Sequence, residues 1–193
     1  MKVVPCAIPD VLLLAPQVYR DDRGAFLESY NQRVFASLGL PHGFVQDNLS
    51  TSKRNVIRGL HYQVRQAQGK LLRVVRGEVL DAAVDLRRWS PTFGRHVVAR
   101  LSGENYRALW IPAGFAHGFA VLSESADFLY KTTDYYAPEF ERTIVWNDPV
   151  IGIDWEVKPE DAIVSGKDRA GVLFSQAEVY EDEAVLTTTG RGR

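Results

Sequence analysis

The sequence predicts an all-β fold, a jelly-roll barrel with one or two short helices. Three observations carry that expectation. β-rich runs recur through the middle of the chain, turn residues separate them at close intervals, and one run alternates with a period of two. The first two strands are expected at 71–75 (LLRVV) and 79–86 (VLDAAVDL), joined by Arg76-Gly77-Glu78. In the second run Leu80, Ala82, Val84 and Leu86 fall on one face, while Asp81 and Asp85 fall on the other. Further strands are expected at 95–101, 107–111, 117–122, 128–132 and 143–146. Turns part them at Ser90-Pro91, Ser102-Gly103, Pro112-Ala113-Gly114 and Ser123-Glu124. A helix is expected at 31–38, starting from polar Asn31 and ending before Gly39, and a helix-prone piece at 159–162. Residues 1–179 read as one domain, and 180–193, polar and ending TTTGRGR, as a flexible tail.

Composition narrows the class. With 193 residues, 46% hydrophobic and 24% charged, the chain can bury a core. A net charge of −1 argues against a nucleic-acid partner. One cysteine, Cys6, excludes both an internal disulfide framework and a zinc ribbon. The apolar run 11–15 is short and flanked by Asp10 and prolines, so it does not read as a signal peptide. Nothing approaches the roughly 18 apolar residues of a membrane span. A soluble, cytoplasmic protein with no membrane partner is expected.

The chemistry concentrates in a few segments. Arg58-Gly59-Leu60-His61-Tyr62-Gln63, with Lys70 and Gly77 beyond, resembles the first motif of the cupin barrels. Pro112-Ala113-Gly114-Phe115-Ala116-His117 resembles the second. Metal-binding cupins carry two histidines two residues apart, a glutamate, and a histidine in the second motif. Here Gln63 stands where the second histidine would be, and Gln66, Gln68 and Lys70 lie near the expected glutamate. A carboxamide is a poor ligand and an ammonium is none, so no metal is expected. His61 and His117 remain. Imidazole suits proton transfer near neutrality. The bland alternative is a pair of satisfied core histidines. The density of polar groups around them in a strand-rich core, costly to bury without purpose, favours proton chemistry.

The segment 128–138 (FLYKTTDYYAP) is either an aromatic core strand running into a loop, or a tyrosine acid (Tyr130) with an aromatic platform (Tyr135 or Tyr136). Trp146-Asn147-Asp148-Pro149 reads as a structural turn, and Ser165-Gly166-Lys167-Asp168 means little alone. With the segments 22–31 (DRGAFLESYN) and 44–50 (FVQDNLS), the whole set resembles the dTDP-4-dehydrorhamnose 3,5-epimerase family, a nucleotide-sugar branch of the cupin barrels. The resemblance runs from about Val18 to Ala177.

That resemblance implies a dTDP-linked 4-keto-6-deoxyglucose as substrate, with C3 and C5 inverted and no cofactor. Both carbons flank the C4 ketone, so enolate formation acidifies their protons. By resemblance His61 is the base, Asp168 its partner, Tyr130 the acid on the opposite face, and Lys70 the cation beside the developing enolate. His117 and Asn48 match pocket positions, and Lys167 is a further substrate contact. Arg58 and Arg23 match diphosphate-binding positions. Phe26, Glu28, Gln46 and Tyr135 match positions that hold the thymidine. Family members are homodimers whose N-terminal segment crosses to the partner. The competing readings are a single-site (C3 or C5) epimerase, a 4-keto sugar ketoisomerase, and a non-catalytic cupin that binds a nucleotide sugar.

Overall fold

The computed structural model describes residues 1–40 and 43–187. Near the N-terminus β1 (Lys2–Pro5) and β2 (Leu12–Ala15) pair with each other, and β3 (Val18–Asp21) with β4 (Gly24–Leu27) forms a separate hairpin. The expected helix is α1 (Gln32–Ser37). Asn31 caps it, its Oδ1 accepting from the backbone N–H of Arg33 and Val34. Eight strands follow: β5 (Gln46–Lys53), β6 (Val56–Gln63), β7 (Lys70–Arg76), β8 (Glu78–Asp85), β9 (His96–Ser102), β10 (Ala108–Ile111), β11 (Phe115–Val121) and β12 (Ser125–Thr132). The chain closes with β13 (Glu141–Thr143), β14 (Ile163–Val164), α2 (Gly166–Arg169) and α3 (Ala184–Thr187).

Two sheets form the barrel. One runs β1-β2-β10-β7-β12-β5, the other β13-β6-β11-β8-β9, with β14 added parallel to β6. Side chains alternate across each strand, so one face of each sheet turns inward. Leu72, Val74, Leu109 and Phe128 of the first sheet meet Val79, Ala83, Val97 and Phe119 of the second in one apolar cluster. The outer face of the second sheet is covered as well: Ala82, Val84, Leu86, Ala116 and Ala120 pack under Ile144, Ile151, Trp155 and Tyr180. Phe35 of α1 covers Leu71, Ala108 and Trp110 of the first sheet. β8 is thus buried on both faces, and the face carrying Asp81 and Asp85 is the barrel interior.

The turn at Arg76-Gly77-Glu78 needs its glycine: Gly77 has φ +78°, and a Cβ there would meet the Ser125 carbonyl. Gly59 matters more for the site. It has φ +118°, and a Cβ there would lie 2.6 Å from the Gly118 Cα. This close approach of β6 to β11 accompanies a register shift between His117 and Phe119 and sets His61 opposite His117.

Three expectations change. The strand expected at 143–146 is Glu141–Thr143; Ile144 only bridges to Val172. The piece at 159–162 is a single 3₁₀ turn, Pro159–Asp161. At the expected boundary of the tail, Tyr180 is buried, its hydroxyl donating to the Gln63 carbonyl at 2.5 Å, and residues 184–187 are helical. The rest of that tail, 188–193, lies outside the described residues. The Asp148 segment is a turn of structural character. Asp148 is buried, and its carboxylate accepts from the N–H groups of Val150, Ile151 and Phe174. No helix among the described residues is long and apolar enough to cross a membrane.

Candidate active site

The inward-facing positions at one end of the barrel are polar. Gln46 and Asn48 of β5, His61 and Gln63 of β6, Lys70 of β7 and Tyr130 of β12 line one cavity of about 280 Å³, with Gln68, Tyr62, Tyr136 and Glu141. Strand register explains the grouping. Tyr130 pairs with Asn48 on one side and Leu72 on the other, and Thr132 pairs with Gln46 and Lys70. His61 pairs with His117.

His61 is backed by Asp168 from α2, with Nε2 2.7 Å from Oδ1. The other carboxylate oxygen accepts from the Gly59 N–H at 3.2 Å. Ser165 caps α2, its Oγ accepting from the Asp168 N–H. Burial works to raise the Asp168 carboxyl, but the hydrogen bond and charge of His61, with the Gly59 and Ser165 contacts, hold it below the ordinary carboxylate value. An ionised carboxylate only accepts, so in the neutral ring the proton sits on Nε2 and the lone pair on Nδ1.

Tyr130 stands on the opposing sheet. Burial, aided by the charge of Glu141 and opposed by that of Arg58, raises its phenol above the usual value, so it holds its proton at neutral pH. Lys70 is pulled down to about 8 by burial, which the charges of Asp81 and Glu141 only partly offset. It remains a cation at neutral pH, but a weakly held one.

Beneath these groups His117 stacks on Phe128, with ring centroids 6.0 Å apart, and Phe128 on Phe119 at 4.3 Å. This aromatic floor divides the polar cavity from the apolar core. His117 Nε2 lies 2.8 Å from Asp81 Oδ2, and Asp81 Oδ1 has no hydrogen-bond partner. Burial pushes Asp81 up and His117 down, each toward its neutral form, because desolvation outweighs their attraction.

Gln63, at the position of a cupin metal ligand, is fully engaged. Its Nε2 donates to the carbonyls of Gln66 and Tyr135, and its Oε1 accepts from the Ala137 N–H. Among the described residues no three His, Cys, Asp or Glu side chains converge as a metal would require.

Comparison with known proteins places this geometry. A model of the family described as dTDP-4-dehydrorhamnose 3,5-epimerase matches residues 5–176. The chain belongs to the dTDP-4-dehydrorhamnose 3,5-epimerase family. It is accordingly an isomerase. The epimerase of that name from Pseudomonas aeruginosa is 62% identical over 181 residues, covering 93% of this chain and 99% of the relative. The one from Salmonella typhimurium is 56% identical over 185 residues, covering 94% and 100%. The crystal structure of the Legionella pneumophila epimerase, in complex with dTDP-4-keto-L-rhamnose, superposes with a TM-score of 0.90 at 47% identity, covering 94% of this chain and 98% of that one. The barrel is therefore the cupin fold of these epimerases.

Within this epimerase-family site the structure brings His61, Asp168, Tyr130, Lys70, Gln46 and Asn48 together. Arg58 points its Nε at Ser52 Oγ, 3.1 Å away, close enough for its charge to act on Tyr130. His117 lies under the cavity rather than on its wall. Arg23, Phe26 and Glu28 do not reach the cavity within one chain. Arg23 pairs with Asp21 at 2.6 Å, Glu28 accepts from Asn31, and Phe26 is 71% exposed. Tyr135 is also exposed, and Lys167 is bound to Glu141 at 2.5 Å rather than open to the cavity. Sequence reasoning missed Glu141, Gln68 and Asp81. Asp81 carried a signal, an acid on the face of a strand whose neighbours Val79 and Ala83 are apolar, and Gln68 lay near the glutamate position of the cupin motif.

Proposed function

We propose that this chain, as a cytoplasmic homodimer, converts dTDP-4-keto-6-deoxy-D-glucose to dTDP-4-keto-L-rhamnose by inverting C3 and C5. The observation that carries the reading is the placement of a carboxylate-backed imidazole and a protonated phenol on opposing walls of one cavity, with the half-buried ammonium of Lys70 beside them. The sugar bound in the Legionella relative supports it.

The proposed step runs as follows. Nδ1 of His61 takes the proton from the carbon beside the ketone, and that bonding pair becomes the enolate. The imidazolium is stabilised by Asp168. Lys70 opposes the charge developing on the C4 oxygen. Tyr130 then delivers its proton to the other face of the carbon, and solvent returns both groups to their starting states. No electron changes hands, so the reaction needs no cofactor. Positioned acid and base groups contribute roughly 10²–10⁴-fold each.

Arg58, next to Tyr130, is suited to the diphosphate. Asn48 would contact the sugar, Gln46 the thymidine, and Tyr135 would stack on the base, while His117, buried beneath the cavity, would support the floor under the sugar. Lys167, at the rim, would reach the substrate only after leaving Glu141. The exposed hairpin β3–β4 explains why Arg23, Phe26 and Glu28 stand apart: in a dimer they would complete the partner's cavity.

The test is solvent exchange. The protein is incubated with the substrate in D₂O and deuterium is read at C3 and C5 by NMR. Deuterium at both carbons, abolished by His61→Asn, is the expected result. Deuterium at one carbon would make it a single-site epimerase. No exchange with binding intact would leave a nucleotide-sugar-binding protein.

A further inference from the structure

Glu141 opens β13 opposite Gln63 of β6, and its side chain is only 13% exposed. One oxygen, Oε2, takes two donors: the Tyr136 hydroxyl at 2.6 Å and the Lys167 ammonium at 2.5 Å. Tyr136 lines the cavity from the loop after β12. Lys167 belongs to α2 and directly precedes Asp168, the partner of His61. A single carboxylate oxygen therefore joins three pieces of chain that meet at the site.

α2 has particular need of such a tether. It is four residues long, and Asp168 is its one buried residue. So short a helix has no stability of its own. Beyond the Ser165 cap it is held by Asp168, through His61 and Gly59, and by Lys167, through Glu141. Glu141 itself is poorly suited to move a proton. Burial works to raise its pKa, but the Lys167 and Tyr136 contacts outweigh that and keep it ionised.

We propose that Glu141 is a positioning residue for the epimerisation, fixing the Tyr136 hydroxyl at the cavity wall and, through Lys167, the helix that presents Asp168 to His61. This rests on the reading of His61 as the base. A displacement of about 1 Å in such a group can lower turnover about 10²-fold.

The experiment uses Glu141→Ala, Glu141→Gln and Lys167→Met in the full chain. It reads kcat and KM for the 4-keto sugar, and separately the ring N–H resonance of His61 in ¹⁵N-histidine-labelled protein. In Glu141→Ala, kcat is expected to fall on the order of 10²-fold with KM little changed. The His61 N–H signal should shift or broaden in Glu141→Ala and in Lys167→Met, and return toward wild type in Glu141→Gln, which keeps an acceptor oxygen. Folded Glu141→Ala with wild-type kcat and an unmoved His61 signal would overturn the proposal, as would a rise in KM alone. Lys167 is 55% exposed, so Lys167→Met decides the question by its His61 signal if the alanine variant does not fold. A wild-type protein that neither turns over nor exchanges solvent deuterium would refute the epimerase reading instead, and the His61 signal would still decide the positioning role.

Discussion

Asp168 holds the side chain of His61 with one oxygen and the backbone of Gly59, two residues earlier, with the other. The same carboxylate thereby fixes both the ring and the strand that carries it. Because it is ionised, it fixes the tautomer of the neutral ring too, with the lone pair on Nδ1, the atom proposed as the base. Asp168, 107 residues along the chain from His61, reaches that place because Ser165 caps the short helix that carries it.

Asp168→Asn should separate shape from tautomer. The asparagine fills the same space, but its amide N–H₂ can donate to Nε2 and drive the ring proton to Nδ1. The cavity side then offers a donor where a base is needed. Turnover is expected to fall about 10³–10⁴-fold, by analogy with the same exchange in a serine-protease triad. Affinity for dTDP, read by calorimetry, should change little. Near wild-type kcat in the folded variant would remove His61 from the role of base.

Tyr130→Phe should split exchange from inversion. In the proposed mechanism the phenol supplies the proton on the face opposite His61, so without it the enolate would be reprotonated where it was formed. Deuterium should still enter from D₂O, while inverted product falls roughly 10²–10⁴-fold. Loss of both together would place Tyr130 in substrate binding, and loss of neither would give the acid role to another group.

The charge on Lys70 should act oppositely on rate and stability. Burial lowers its pKa from the ordinary 10.5 to about 8. Below about pH 8 the ammonium is charged in both folded and unfolded chains, and the penalty for burying it is fully present. Between about 8 and 10.5 the folded chain has released this proton and the unfolded chain has not, so the Lys70 contribution moves in favour of folding as pH rises. The whole effect amounts to at most about 3 kcal/mol, since part of the side chain faces the open cavity. Urea unfolding at pH 7 and pH 10 should show this gain relative to Lys70→Met. Turnover should fall as pH passes about 8, because the neutral amine no longer opposes the enolate charge.

How much of this was legible in the sequence depends on what each strand faces. β7 and β8 could be read directly, since LLRVV and VLDAAVDL are apolar on at least one face and Gly77 marks their turn. β5 and β6 could not. Their inward faces carry Gln46, Asn48, Ser50 and Ser52, and Arg58, His61 and Gln63, so the usual apolar alternation disappears where the barrel interior is built for a polar ligand. The pairing of His61 with Asp168 has no local spacing to reveal it and followed only from family resemblance. Glu141 had no signal at all: its place depends on β13 pairing with β6. Arg23, Phe26 and Glu28 matched a motif, yet one chain alone does not bring them to the cavity.

Gln63 offers a test of what replaced the metal-ligand position of the cupin motif. Its amide is buried and joins β6 to two loops, at Gln66 on one side and at Tyr135 and Ala137 on the other. These loops carry Gln68 and Tyr136 to the cavity wall. Gln63→Ala leaves two carbonyls and one N–H without this partner, and should destabilise the fold by about 2–4 kcal/mol. Because the loops shape the pocket while His61, Asp168 and Tyr130 stay on their own supports, KM should rise more than kcat falls. Urea unfolding and steady-state kinetics on the folded protein measure the two effects. A variant as stable as wild type would mean that water takes over all three contacts.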